Sequence, residues 1–267
     1  YRKAYAPHTL LHDGGVGIER WLSTWSGKIF NNLGDKVNHL NDIKHKNCAT
    51  ILRGPRLCKI KGGIKHSSFD NFDAVFRKAN MDSDETPCSG NRTTYGFTHT
   101  LDPLEVRGGL KHAEHGVFIP NDDVQIYTTP SVLYEGTRNL SVLSREFTSF
   151  ARNATCPCSL PPNAHVVPGV TSGFYIVLAS LLMCEQVTIF CWEQYGWGTP
   201  LFFEPNAKVN SDGAVGNIFA NVDKKPESEH CLLEEFLWLQ ELREQGLVQY
   251  SCGGDRTDVS TFATKTW

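Results

Sequence analysis

Four features are missing from this 267-residue sequence, and their absence narrows what it does. The longest apolar run, Phe174 to Cys184, falls well short of the roughly 18 residues that a membrane-spanning helix needs. There is no excess of one charge. Lys and Arg number 26 against 29 Asp and Glu, for a net charge of −3. Nothing global therefore draws the chain to nucleic acid or to an acidic membrane, and any affinity for an anion must come from a local site. No Cys-x2-Cys pair is present to suggest structural zinc. Internal repeats and low-complexity tracts are absent too.

What remains is globular. Hydrophobic residues make up 40% and charged residues 21%, enough to bury one large core or two small ones. Nine cysteines are many for a cytosolic enzyme, and the odd count leaves at least one free or paired with another chain. Three glycosylation sequons accompany them: Asn91-Arg92-Thr93, Asn139-Leu140-Ser141 and Asn153-Ala154-Thr155. Together they favour an oxidising, secretory compartment. The sequence opens on Tyr1 rather than Met, so it is expected to be a processed or partial chain, with any signal or anchor upstream.

Along the chain, residues 1–47 read as a helical lead-in, with an amphipathic stretch from Ile18 to Leu33 that sets Trp21 and Trp25 four apart. Residues 48–267 read as the main α/β domain. Strands are predicted at Cys48–Leu52, Phe72–Phe76, Thr93–Thr98 and Val124–Thr128, and Asn139–Pro168 reads as a loop-rich section. Thr171-Ser172-Gly173 then opens a helix that is apolar on all sides through Met183, followed directly by a strand at Val187–Trp192. The last strong element is a helix over Glu229–Glu244, stopped by Gly246. Helix-then-strand units of this kind indicate a sheet with covered faces.

Several residues have the chemistry of a site. The first amides of the apolar helix lack intrahelical partners and carry the positive end of the dipole, so the Thr171-Ser172-Gly173 turn suits a carboxylate or phosphate. A plain N-cap is the commoner use of such a turn. Arg53, Arg56, Lys59, Lys61 and Lys65 crowd one loop with Gly62-Gly63, either as a second anion feature or as a solvated loop. His230, in the first turn of its helix, meets a dipole that disfavours imidazolium. A neutral ring is what a general base for a hydroxyl requires. Asp82-Ser83-Asp84 matches the metal-binding D-x-D but sits in a polar, turn-like context. His112 and His115 read as a solvent-exposed turn, since no third metal ligand is suggested. Cys156-x-Cys158 suits neither redox chemistry nor zinc.

Three separated segments, in order, resemble the eukaryotic sialyltransferases. The family's large motif is similar to Cys48-Ala49-Thr50-Ile51, then Phe69-Asp70-Asn71-Phe72-Asp73-Ala74-Val75-Phe76-Arg77, then Ser89-Gly90-Asn91-Arg92-Thr93-Thr94. Its small motif looks like Thr171-Ser172-Gly173 through Cys184-Glu185-Gln186-Val187, and its very small motif, H-x4-E, like His230 through Glu235. The resemblance covers roughly residues 48 to 245. It implies a single Rossmann-like domain, a sialyltransferase-type variant of the GT-A fold, with helices on both sides of a mainly parallel sheet. It also implies an inverting, metal-independent transfer from a CMP-sugar donor to a glycan acceptor, with no other cofactor. His230 would be the base, and Thr171, Ser172, Gly173, Asn80 and Arg53 the donor-binding positions. Cys48 and Cys184 would form the disulfide that joins the large and small motifs. The location implied is the Golgi lumen, with a membrane anchor upstream. Asn91 falls inside the matched motif, so it is expected to stay unglycosylated even if Asn139 and Asn153 are modified.

This sequence departs from the family at three places. The position of the family's nucleotide-touching Asn holds Arg53. The Asn after Arg77 is displaced by one, to Asn80. The histidine of the family's motif III is replaced in Leu201-Phe202-Phe203-Glu204. Four readings stay open: sialic acid transfer, transfer of another CMP-activated keto-sugar acid such as Kdo, a non-catalytic CMP- or glycan-binding relative, and a structural secreted protein with no nucleotide site.

Overall fold

The lead-in does not form one long helix. The computed structural model describes residues 18–32, 39–51, 71–78, 92–99, 110, 113–120, 140–155, 170–190 and 232–251. Helix α1 covers only Ile18–Ser23. It stops because Ser23 and Thr24 turn their hydroxyls back onto the carbonyls of Arg20 and Trp21, at 2.7 and 2.6 Å. This competition with the helix ladder is typical of Ser and Thr. The chain then turns into a short strand, β1 (Phe30–Asn32). Asn41, in a 3-10 turn at His39–Asp42, serves as a surrogate strand partner. Its side chain accepts from the N–H groups of Ile29 and Phe30 and donates to the Phe30 carbonyl, all within 2.9 Å.

Strands β2 (His45–Ile51), β3 (Ala74–Lys78), β4 (Thr93–Thr98), β5 (Ala113–Phe118) and β6 (Leu140–Leu143) follow. Helix α2 (Arg145–Thr155), helix α3 (Ser172–Met183), strand β7 (Cys184–Phe190), helix α4 (Leu232–Glu244) and strand β8 (Val248–Ser251) complete the described elements. The strands form one sheet in the order β1-β6-β5-β4-β3-β2-β7-β8. Only β1 runs antiparallel to its neighbour. The boundary drawn after residue 47 falls within β2, and β1, from the lead-in, belongs to the same sheet.

A parallel sheet is buried on both faces. Thr50 donates to Ser180 of α3 at 3.0 Å, so Thr50 and its register partners Phe76 and Tyr95 face the helices. The alternate residues Ala49, Ile51, Val75 and Arg77 face the other way and are equally buried. On that second face Gly96 lets two chains approach. A Cβ there would lie 2.8 Å from Ala113 and 2.9 Å from Leu110. Helices α2, α3 and α4 pack on one another and on α1 over the first face. The elements expected to cover the second face lie outside the described residues.

Helix α3 is the centre of the core. Phe174, Ile176, Val177, Leu178 and Ala179 are fully buried. Each large side chain among them contributes about 1.5–3 kcal/mol relative to exposure. Ser180 is tolerated here because its hydroxyl also donates to the Val177 carbonyl at 2.8 Å. Trp21 clasps the first helix to the rest, stacked on Phe150 at 3.7 Å and edge-on to Trp238 at 4.9 Å. Helix α4 ends on Gly246 at φ 73°, where Leu247 N–H bonds to the Leu242 carbonyl and Gly246 N–H to that of Arg243. This left-handed cap suits glycine.

Three further expectations need correcting. Asn139–Pro168 is not loop throughout, since Leu140–Leu143 is a fully buried strand and Arg145–Thr155 a helix. Ser144 starts that helix, accepting from Phe147 N–H at 3.0 Å. His115 lies in strand β5 rather than in a solvent-exposed turn. The strands predicted at Cys48–Leu52, Phe72–Phe76 and Val187–Trp192 are displaced by three, two and three residues at their starts. The strand expected at Val124–Thr128 lies outside the described residues, as do the Arg56–Lys65 cations, Asp82, Asp84, His112, Cys156 and Cys158.

Candidate functional site

Among the described strands the order reverses at one topological switch point. From β2 the chain moves through β3, β4 and β5 to β6 on one side, and β7 and β8 lie on the other. In open parallel sheets, ligands bind outside the carboxyl ends of the strands where the order reverses. Here that point is the carboxyl end of β2 and β7. Helix α3 runs back from the start of β7, beside His45, and by Ser180 has reached the level of Thr50 near the end of β2. Its N-terminus therefore stands toward the carboxyl edge. Arg53 follows β2 by two residues in sequence.

Three elements meet at that helix mouth. Thr171 caps α3, its hydroxyl accepting from Phe174 N–H at 3.2 Å. The carboxylate of Glu235, from α4, is fully buried and accepts from Thr171 N–H and from the Thr171 hydroxyl, each at 2.6 Å. Both donors of Thr171 are thus engaged, and its carbonyl accepts from Tyr175 N–H at 3.2 Å. The amides of Ser172 and Gly173 and the Ser172 hydroxyl are the parts of the turn left to meet a ligand. One turn further along α3, Tyr175 is buried. Burial pushes its phenol up; Arg152 of α2, hydrogen-bonded to it, pulls the other way, and Glu235 adds to the rise.

Hydrogen bonds to a charged group contribute about 1.5–3 kcal/mol each. Glu235→Ala strands the Thr171 N–H and is expected to lower stability by about 3 kcal/mol, and Glu235→Gln, which keeps one acceptor, by about half as much. Urea unfolding checks this. A Glu235→Ala protein as stable as the parent would show that the two bonds do not hold the mouth in place.

The middle of the large motif is structural. The Asp73 carboxylate accepts from the N–H groups of Lys46 and Asn47, and its own N–H donates to Asn47. Arg92 donates to the carbonyls of Phe72 and Asp73. The Arg92 carbonyl accepts from Arg77 Nε at 3.0 Å. Arg77 is only 1% exposed, and burial pulls its guanidinium down to about 9, still charged at neutral pH. These bonds tie the β2, β3 and β4 segments to one another.

A second polar cluster lies at the amino edge. His45 Nε2 is 3.0 Å from the Tyr95 hydroxyl, and the His115 ring stacks on Tyr95 at 5.4 Å. His115 Nδ1 is buried, with no hydrogen-bond partner among the described residues. Burial lowers both imidazoles below their ordinary value of 6.5. Around His45, Asp73 and Glu114 oppose the fall while Arg92 and His115 reinforce it; around His115, Glu114 opposes it. The unfolded chain then binds protons before the folded one does. The contribution is flat above pH 6.5, and stability falls as the pH drops below it. The unfolding midpoint is expected to fall between about pH 7 and pH 5, with a shallower slope in the His45→Gln/His115→Gln variant. A parent midpoint that rises over this range would contradict the assignment.

Of the sequence-predicted site residues, Thr171, Ser172 and Gly173 stand at the helix mouth. Cys48 and Cys184 are joined, with Cα atoms 6.2 Å apart across a sequence separation of 136. His230, Asn80 and Arg53 lie outside the described residues. The roles of Glu235, Tyr175 and Arg152 were not read from the sequence. Only Glu235 carried a signal, as the last residue of H-x4-E. No group of three or more His, Cys, Asp or Glu side chains converges as a metal site among the described residues. No described helix is long and apolar enough to cross a membrane.

No protein-family model matches the chain, and no curated protein matches it in sequence. Solved structures do. A mammalian sialyltransferase in complex with Gal-beta-1-3GalNAc-ortho-nitrophenol superposes with a TM-score of 0.51 at 15% identity, covering 87% of this chain and 84% of that one. Another structure of a mammalian sialyltransferase gives a TM-score of 0.51 at 14% identity, covering 87% of this chain and 83% of that one. The chain has the sialyltransferase fold over most of its length.

Proposed function

We propose that this chain is a divergent sialyltransferase, moving an acidic keto-sugar from a CMP donor to a glycan hydroxyl with inversion and without a metal. The fold likeness over 87% of the chain supports the glycosyltransferase class. One contact carries the finer reading: Glu235 of H-x4-E is bonded to Thr171 of the small motif, so two motifs recognised separately in the sequence meet at one helix mouth. His230 lies five residues before Glu235 in the sequence.

In this reading His230 takes the proton of the acceptor hydroxyl. The freed oxygen attacks the anomeric carbon as the bond from that carbon to the phosphate oxygen of CMP breaks. The Ser172 and Gly173 amides, at the positive end of α3, hold negative charge on the donor, with Arg53 and Asn80 at the family's donor-binding positions. Leu201 stands where the family has the histidine that assists the departing phosphate, so Arg53 or the helix mouth takes that task. The chain then works in the lumen of a secretory compartment, such as the Golgi, as the lumenal part of a protein anchored upstream.

The replacement at Leu201 also favours a second reading, a relative that binds CMP or a glycan without turnover. Calorimetric titration with CMP, followed by a donor panel of CMP-sialic acid and CMP-Kdo, separates the readings. Gal-beta-1-3GalNAc, the acceptor part of the analogue bound by the neighbour, is the first acceptor to assay. Transfer from CMP-sialic acid is the expected result. Transfer from CMP-Kdo alone would change the donor, CMP binding without turnover would select the second reading, and no CMP binding would remove both.

A further inference from the structure

Among the three sequons, Asn153-Ala154-Thr155 is the one whose asparagine lies among the described residues, and Asn153 is exposed. Helix α2 is two-faced: Phe147, Thr148 and Ala151 are buried, while Arg145, Glu146, Ser149 and Asn153 are exposed. Asn153, four residues after Ser149, continues the solvent face through the last turn. Its neighbour Arg152 is the residue hydrogen-bonded to Tyr175. The other two sequons run into the sheet. Thr93, whose hydroxyl serves Asn91, is 8% exposed as the first residue of β4. Ser141, which serves Asn139, is fully buried in β6 between β1 and β5.

We infer that Asn153 is the chain's N-glycan acceptor, in preference to Asn91 and Asn139; this rests on the lumenal placement proposed above. The co-reactant is a polyprenyl-diphosphate-linked oligosaccharide supplied by the host's oligosaccharyltransferase. The Asn153 side-chain nitrogen gives up one proton and bonds to the anomeric carbon, and the bond from that carbon to the diphosphate breaks. A sugar on the solvent face of α2 displaces no packed side chain, and its bulk stays in water. Thr93 and Ser141, by contrast, must be withdrawn into the sheet for the chain to fold.

The test is to secrete the chain from a eukaryotic host behind a cleavable signal. The glycans are then released enzymatically in 18O-labelled water, which marks each formerly glycosylated Asn as 18O-aspartate, and the peptides are mapped by mass. The expected result is greatest labelling at position 153, lost in Asn153→Gln, with an unchanged unfolding midpoint. No label at 153, or more label at 91 or 139, would overturn the assignment. CMP titration of the same secreted sample reports separately on the proposed function, so either reading can fail without the other.

Discussion

Alanine in place of His230 is expected to lower the turnover number by about 10²–10⁴-fold, the usual contribution of a positioned general base. CMP affinity and the unfolding midpoint should stay close to those of the parent, because the ring is assigned to the acceptor hydroxyl and not to the nucleotide or the core. A neutral imidazole accepts a proton without first losing one, which is why a histidine suits the proposed role of base. The diagnostic is a split between the two measurements: turnover falls while calorimetric CMP binding persists. Retained turnover would remove His230 from the mechanism. Loss of turnover together with CMP binding and a lowered midpoint would assign it a structural role instead.

The second large effect is on stability. Breaking the Cys48–Cys184 bond opens a loop spanning 136 residues. The chain-entropy model gives about 5 kcal/mol for a loop of that length. That is comparable with the whole stability of many domains of this size. The bond also stands at the junction of α3 and β7, where Cys48 and Val187 are register partners, so an unlinked chain loses a constraint beside the central pair of strands. The Cys48→Ala, Cys184→Ala and double variants are expected to lose similar amounts, since each removes the same link. Urea unfolding with and without reductant checks this. Two titratable thiols at these positions and a midpoint indifferent to reductant would show that the link contributes nothing.

The elements legible in the sequence were those with long, unbroken signals. Ser172–Met183 is apolar on every side and capped by Thr171, and Thr93–Thr98 is rich in β-branched and aromatic residues; the structure has both with the expected ends. Strand β5 was missed because its first half, Ala113-Glu114-His115, lies at the half-exposed amino edge and reads as polar. Strand β6 is four residues long and begins inside a sequon, so its apolar signal rests on little more than Val142 and Leu143. Helix α2 did carry a signal, in Ser144 as cap and Phe147, Phe150 and Ala151 at helical spacing, but the Cys156-Pro157-Cys158 turn beyond it outweighed that pattern.

By itself the sequence determined the fold class, the helix mouth at Thr171-Ser172-Gly173 and, through the resemblance, the pairing of Cys48 with Cys184. These follow from local periodicity, from caps and from motifs read in order. Only the tertiary structure decided which groups at that mouth are committed. The bond from Thr171 to Glu235 spans 64 residues of sequence. No local pattern encodes such a contact, because it depends on how α3 and α4 pack over the sheet. Once made, it engages both donors of Thr171 and leaves the Ser172 and Gly173 amides facing the carboxyl edge.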